Sequence, residues 1–581
     1  MVKQSRVCTN CKKGFEITDD DLGFYEKMQV PAPTFCPDCR FQRRYAWRNE
    51  RNLYKRKCNL CQRDIISIYS PDKPFTVYCS ECYHGDAWDP LSYGKDFDFS
   101  RPFFEQFREL QLQVPRLYAF VFQNVNSEYT NGAAFNKNCY LMFVSDHNED
   151  SYYSHATNNC KNVFDCYGCE KCEFCYESLD CTKCYRVNFS QDCSDSQNLL
   201  FCKSCSNCQD CIGSTNLKNK KYHIFNKAYS KEEYFEKIKS MNLTSRNGLE
   251  ELRKQCEEHF SRQIKKYYHG IQNREVIGDY VSNSKNSQYV FDAVEVEDSK
   301  FINYGHKINN CYDGYVVVDK SQFSYEIVSA IGINQVKFGY CVWHDINAEY
   351  CDTCENCTDV FGCVGLRKQS YCILNKQYSK EEYETLIPRI IEHMKSTGEY
   401  GEYFPLVMSP FAYNETTAQE YFPLDVKEAE LKNIAWKAQD DRGYSITMPA
   451  ENIPDRSEQI PDTIENEILG CAHKGACNEG CATAFRITSL ELQMYRSSAL
   501  PLPVLCHNCR HGARVKKRNP RKLWLRSCQC MYQGHFHGGN SCGSEFWSSY
   551  VPKKEAESSI RAGTFQDKIV FCEKCYQSEI S

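Results

Sequence analysis

The pattern of polar and apolar positions changes character several times along the chain. From about residue 124 to 225 neither a helical nor an alternating period holds. Short phrases rich in Asn, Asp, Ser, Tyr and Cys follow one another instead: NKNCYLMF, EDSYYSHA, NNCKNVFD, EKCEFCYE and LDCTKCYR. Cysteine recurs through them every 21 residues, at Cys139, Cys160, Cys181 and Cys202. A unit of that length made of short extended pieces predicts one coil of a parallel β-helix, with small residues inside and Asn or Asp at the corners. A second array of this kind runs from about 276 to 376. An offset of 149 lays Cys202, Cys205 and Cys208 on Cys351, Cys354 and Cys357, and YSKEEY (229–234) on YSKEEY (378–383). Each YSKEEY carries Ser-x-x-Glu, so a helix capped by Ser230 or Ser379 is expected to close each array and cover its edge.

Helical periodicity is confined to the connecting segments. Residues 97–114 predict a helix, and 246–268 another, with Leu249, Leu252, Cys256, Phe260 and Ile264 on one face. The apolar segments 401–413 and 419–426 are expected to dock on the body, and the polar stretch 452–467 to be flexible. The expected fold is mainly β and multidomain, with duplicated double zinc-binding modules flanking two tandem β-helix-like arrays. The expected boundaries are an N-terminal module (1–96), a helical linker (97–123), the first array (124–228), a cap and linker (229–275), the second array (276–377), a cap and docking linker (378–470) and a C-terminal module (471–581).

Cysteine usage sharpens this picture. The chain has 39 cysteines in 581 residues. The N-terminal residues lack an apolar signal region, and no run of 18 apolar residues follows. A cytoplasmic protein without membrane spans is therefore expected, and its cysteines are read as metal ligands or buried thiols before disulfides.

The two ends are copies of each other. A shift of 470 aligns Cys11–Cys58 with Cys481–Cys528 without a gap. Each copy reads as two zinc sites built from paired knuckles, which together supply a tetrahedron of thiolates. The first copy offers Cys8, Cys11, Cys36 and Cys39, then Cys58, Cys61, Cys79 and Cys82. The second offers Cys477, Cys481, Cys506 and Cys509, then Cys528, Cys542, Cys572 and Cys575. About four zinc ions per chain are expected. An insertion carrying Cys530, His535 and His537 leaves open whether one of these replaces Cys528, and Cys471 is left over.

The segment CTNCKKGFEIT…FYEKMQVPAPTFCPDCR resembles the zinc-ribbon, or treble-clef, domain of many bacterial proteins without assigned function. The whole arrangement resembles a cysteine-rich family from uncultured bacteria with small genomes. The resemblance implies zinc binding by the matched cysteines and implies no reaction.

CxxC also recurs inside the arrays, at Cys166, Cys169, Cys172 and Cys175 and from Cys202 to Cys211. Extra metal and stacked buried thiols are both open readings. Packing is favoured because the 149 offset exchanges Cys211 for Val360 and Cys193 for Val342, which a core tolerates and a ligand set does not. The Cys202, Cys205 and Cys208 triplet is the best candidate for an exception.

Charge is distributed unevenly. Residues 1–83 carry 15 Lys/Arg against 10 Asp/Glu, and 477–581 carry 15 against 8, while the remainder is strongly acidic. Stretches 40–57 and 510–526 each hold eight Lys/Arg among aromatic residues. Arg44, Arg48, Arg51, Arg514, Arg518 and Arg521 are therefore candidate contacts to nucleic acid, and exposure on one face of each module is the corresponding expectation. The alternative is that they pair with an acidic protein surface, in a partner or in the chain's own middle. No P-loop or HExxH is present. A zinc-binding interaction protein is the reading the residues favour, with nucleic acid as the named candidate ligand. A pure scaffold is the alternative. A carbohydrate-active enzyme, using carboxylates such as Asp146, Glu149, Asp150, Asp292, Glu297 and Asp298, is the least favoured.

Overall fold

The computed structural model describes residues 3–438, 443–538, 540–556 and 568–580. The chain is strand-rich, with cysteine clusters at both ends. Two long parallel ladders form its middle. In the first, Val125 pairs with Lys137, Lys137 with Glu149, Glu149 with Lys161 and Lys161 with Glu173, each partner twelve residues on. The same spacing joins Tyr140 to Tyr152, Phe143 to His155 and Asp146 to Asn158, so pairing recurs every third residue. One circuit thus takes twelve residues, in four sides of three.

The corner of each side is a left-handed residue. From Gly132 to Phe225, every third residue has φ between about +48° and +66°. Asn and Asp tolerate this region best, and their side chains form amide ladders along the corners. Asn126 Nδ2 donates to Asn138 Oδ1 (3.1 Å), and Asn138 Nδ2 to Asp150 Oδ1 (3.0 Å). Beside them, Lys137, Glu149 and Lys161 form an alternating ladder of charge, with Glu149 3.3 Å from one lysine and 3.1 Å from the other.

Backbone accounting explains why cysteine and serine fill the interior. The middle residue of a side donates its N–H forward, as Lys137 does to Asn148 O, and the corner donates backward, as Asn138 does to Val125 O (both 2.9 Å). The N–H of the inward residue has no place in this ladder. It is met by the inward side chain one circuit earlier: Cys139 N–H by Ser127 Oγ (2.9 Å), Cys166 N–H by Ser154 Oγ (3.0 Å) and Cys172 N–H by Cys160 Sγ (3.4 Å). The same side chains donate to carbonyls of their own side, as Ser154 does to Tyr152 O (3.0 Å) and Cys160 to Asn158 O (3.4 Å). A narrow square core therefore suits a small residue that both donates and accepts. Ser does this with a polar hydroxyl, and Cys does it as a small hydrophobe.

This geometry corrects the expected coil. Twenty-one residues are one circuit of twelve and three further sides, so Cys139, Cys160, Cys181 and Cys202 point inward from four different sides and form no column. The CxxC spacing inside the array is the three-residue side. Burial pushes the Cys139 and Cys211 thiols up to about 11, as it does Cys311 and Cys351 in the second array. Cys202, Cys205 and Cys208, like Cys351, Cys354 and Cys357, lie within these cores.

The second ladder runs from Gly270 to Ile373; its partners lie eleven residues apart up to Ile277 and twelve from Gly278 on, with one extra residue near Lys320. Its interior is aliphatic over much of its length, with Val290, Val296, Ile302, Val317 and Ile327 fully buried. Each ladder ends in a tight antiparallel return, Ile224 to Lys227 and Ile373 to Lys376. A helix follows, Lys231–Ser240 or Lys380–Ser396, with both halves of the expected capping box formed. The linker helices are Phe103–Gln113 and Arg246–Ser261, the latter burying Leu249, Leu252 and Cys256. Segment 452–467, expected to be flexible, is instead three short 3-10 turns that bury Ile453, Ile460 and Ile464 beneath the C-terminal module. Its sparse isoleucines, one per turn, are what the polar composition concealed.

The packing account yields a test. Cys181 is fully buried and donates to Leu179 O (3.3 Å). Cys181→Ser keeps the donor and should cost no more than about 1 kcal/mol. Cys181→Leu overfills the square and should cost about 1–3 kcal/mol. Thermal unfolding of the zinc-loaded chain measures both, and equal losses would contradict a packing role.

Candidate metal centres

Each metal cluster is made by a hairpin and a helix. Strands Lys3–Val7 and Gly14–Thr18 pair antiparallel, and the turn between them holds Cys8 and Cys11. Cys36 caps the helix Pro37–Tyr45, whose first turn carries Cys39. The four sulfurs lie within 4.8 Å of one another, with Cys11 and Cys36 3.6 Å apart. Cys58, Cys61, Cys79 and Cys82 repeat the arrangement, with Cys61 and Cys79 3.8 Å apart. A Zn–S bond of about 2.3 Å gives a tetrahedral edge of about 3.8 Å, whereas a disulfide needs about 2.05 Å. None of the cysteines is in a disulfide. The donor set, all thiol and closed by protein on every corner, fits structural zinc.

The backbone prepares one thiol of each of these two clusters for deprotonation. Cys36 N–H donates to Cys8 Sγ (3.2 Å), and Cys79 N–H to Cys58 Sγ (3.3 Å). Burial alone would push Cys8 up, but the amides of Cys36, Cys11 and Asn10 outweigh it and bring the thiol down to about 6. Cys58 is brought to about 6 in the same way, by the amides of Cys61, Cys79 and Leu60. Metal binding needs the thiolate, so these contacts favour the loaded state.

The C-terminal copy bears on two assignments. Cys572 N–H donates to Cys528 Sγ (3.2 Å), and Cys528, Cys542, Cys572 and Cys575 form one cluster, so Cys528 sits where Cys58 sits in the first copy. In the other cluster, Cys506 N–H donates to Cys471 Sγ (3.3 Å), the contact that Cys8 accepts in the first copy. Cys471 also follows directly on the hairpin strand Leu469–Gly470, as Cys8 follows on Lys3–Val7. The compact set is Cys471, Cys481, Cys506 and Cys509. Cys471, left over in the sequence, is therefore the equivalent of Cys8. Cys477 belongs to a seven-residue insertion and approaches from the side, its sulfur 3.6 Å from Cys509. The ungapped alignment started at Cys481 and could not see this insertion. The clusters are consistent with zinc-ribbon-like sites and compatible with structural metal binding.

The arginines expected to be exposed are not. Arg44 and Arg514 are fully buried, and Arg48 nearly so. Arg44 reaches Asp313 (3.0 Å) and Glu326 (2.8 Å), and Arg514 reaches Asp165 (2.7 Å) and Glu177 (3.6 Å). Arg40 and Arg510, four residues before each, bind the same aspartates at 3.0 and 2.9 Å. Arg518 bridges Asp180 and Asp292, and Arg521 joins it on Asp292 (2.7 Å). Arg48 pairs with Glu50 (2.9 Å), and Arg51 stacks on Phe143. Asp165, Glu177, Asp180, Asp292, Asp313 and Glu326 are all left-handed corner residues of the ladders. Nothing in composition alone marks them out among the chain's acids; only the corner period does.

No family model and no curated protein matches the chain. Among solved structures, one titled a "putative acetyltransferase" from Desulfovibrio desulfuricans G20 is 12% identical over 45% of this chain and 69% of its own, with a TM-score of 0.11. A likeness of that size carries no argument about fold or activity. No helix among the described residues is long and apolar enough to cross a membrane.

Two outcomes test the geometry. Cys471→Ser should lower the zinc content of the purified chain by one ion, whereas Cys477→Ser should leave it unchanged; the reverse result would restore Cys477 as the ligand. The acid side of the stability profile supplies the second. Burial would push Asp292 up, but Arg518 and Arg521 hold it near 2, below its ordinary 3.8. A depressed carboxylate stabilises the folded chain above its unfolded value and loses that contribution as pH falls through the folded one. Asp292→Asn should therefore destabilise the chain at neutral pH and flatten the loss of stability between about pH 4 and 2, followed by unfolding midpoints across that range.

Proposed function

We propose that this protein is a zinc-clamped scaffold in which the two end modules hold two parallel β-helices together, and that its metal is structural. The treble-clef modules then serve protein assembly within the chain rather than nucleic-acid contact. One arrangement carries this reading: each module touches both arrays. Strand Val77–Tyr78, immediately before Cys79, extends the start of the first array by pairing parallel with Arg116–Leu117. The arginines of the same module enter corner acids of the second array. In the C-terminal copy, Val570–Phe571, immediately before Cys572, pairs with Lys265–Lys266 at the start of the second array; Arg510 and Arg514 enter a corner acid of the first, and Arg518 and Arg521 also reach Asp292 of the second. Each array is thus edge-capped by one module and gripped by the other. A long ladder edge needs such cover to avoid pairing with other chains.

Two observations weigh against the other candidate functions. The six arginines are already engaged inside the molecule, as are Arg40, Arg43 and Arg510, which leaves seven of the sixteen charges counted in stretches 40–57 and 510–526 for phosphate. The carboxylates considered for carbohydrate chemistry are likewise in use: Glu149 lies between Lys137 and Lys161, Glu297 on Lys285, and Asp292 on the two arginines.

The test uses the full chain. Arg44→Ala leaves Asp313 to Arg40 and Glu326 to Arg43 in a site closed to water, and breaking one partner out of a buried pair costs about 3–5 kcal/mol. Accelerated proteolysis between the N-terminal module and the arrays is expected, as is the same release on chelation of the wild type. Retention on immobilised DNA or RNA at graded salt should be weak and unchanged by Arg44→Ala. A steep salt slope that this substitution reduces would favour the nucleic-acid reading instead.

A further inference from the structure

The last cysteine cluster has a neighbour. Cys530, His535 and His537, from the insertion that the N-terminal module lacks, converge on Cys575, and the ligand atoms of these four residues lie within 4.8 Å of one another. Cys575 is at the same time one corner of the cluster with Cys528, Cys542 and Cys572. Cys530 and Cys575 are both fully buried.

The two histidines are set as ligands. His535 turns Nδ1 toward Cys530 Sγ (3.0 Å), while its Nε2 is held by Glu579 Oε1 (2.9 Å). A carboxylate on the far nitrogen fixes the tautomer that leaves the near nitrogen free to bind a metal. His537 offers a stronger sign: both of its ring nitrogens are shielded from solvent and have no hydrogen-bond partner. Ring nitrogens closed to water and without partners have given up their hydration for nothing unless something binds them. Two thiols and two imidazoles are a complete tetrahedral zinc set.

The geometry points to a two-metal centre in which the Cys575 thiolate bridges a zinc ion held by Cys528, Cys542 and Cys572 and a second held by Cys530, His535 and His537. The inference rests on the structural-zinc reading of the four-cysteine clusters and adds a fifth ion to it. Five thiolates and two neutral imidazoles around two divalent cations leave a net charge of −1, whereas an isolated four-thiolate site carries −2. The second ion thus lowers the charge that the module must bury. It also ties the insertion to the helix Glu573–Ile580, which supplies both Cys575 and Glu579.

Metal analysis of the full chain, purified with zinc as the only added metal, tests this. The wild type should hold five zinc ions per chain. Cys530→Ser with His537→Ala should hold four, and Cys575→Ser should hold three, because the bridge serves both ions. A wild-type count of four, unchanged in the double variant, overturns the second ion. A Cys575→Ser count only one below wild type overturns the bridge. A wild-type count near zero is the distinct failure of the structural-zinc reading itself. Cobalt substitution gives an independent readout. A thiolate shared by two cobalt ions couples their spins, so the paramagnetic signal per cobalt should fall as the fifth equivalent binds the wild type. Retention of the full signal through the fifth equivalent would overturn the bridge.

Discussion

The fold depends on ion pairs between arginines of the cysteine-cluster modules and acids at the corners of the arrays. Neither partner has access to much water: Arg44, Asp313 and Glu326, and Arg514 and Asp165, are all closed off. Burying a single charge in this way is prohibitive, and a buried pair is tolerable only when geometry and hydrogen bonding are nearly complete. The structure meets that demand by giving each aspartate two arginines from one helix turn, Arg40 with Arg44 on Asp313, and Arg510 with Arg514 on Asp165. The helix must then be placed accurately, and the thiol cluster at its N-terminus fixes where it begins. Metal site and ion pair are therefore one device, in which the cluster sets the helix and the helix sets the guanidinium groups.

The corner conformation is the other half of that device. A left-handed residue every third position turns the chain sharply enough for a twelve-residue circuit, and it aims its side chain outward from the vertex. Some corners spend this on neighbours twelve residues away, in Asn and Asp ladders such as Asn126–Asn138–Asp150 and Asn198–Asp210. A few, where a module lies against the array, spend it on arginine. The same acids would be ordinary solvated residues were the modules absent.

The duplication of the chain gives the arrangement its crossed form. Asp165 and Asp313 occupy matching positions in the two arrays, and Arg44 and Arg514 in the two modules, yet Arg44 takes Asp313 and Arg514 takes Asp165. Each module grips the array remote from it in sequence through the helix that carries these arginines and caps the near one with a strand, and Arg518 and Arg521 hold the near array as well through Asp292. Two halves that could have folded separately are interlocked instead, and Tyr45 of one module accepts a hydrogen bond from Arg521 of the other (2.8 Å).

The chain's order of residues already determined the duplicated modules, most of the thiol ligands, both capping boxes and the exchange of Cys for Val inside the arrays. These are local or nearly local matters: a CxxC turn, a Ser-x-x-Glu start and a buried small residue leave their mark within a few positions. Three things waited for the tertiary structure. The circuit is twelve residues and not twenty-one, because pairing is set by hydrogen bonds between sides, while the cysteine phrases repeat on a multiple of the three-residue side that is not a multiple of the circuit. Cys471 rather than Cys477 completes its cluster, because an insertion moves a ligand along the chain without moving it in space. The arginines lie inside the protein, because a basic stretch reads the same whether it meets phosphate or a carboxylate from the other half of the chain. That choice was made by which corner acids the fold brought to within 3 Å of them.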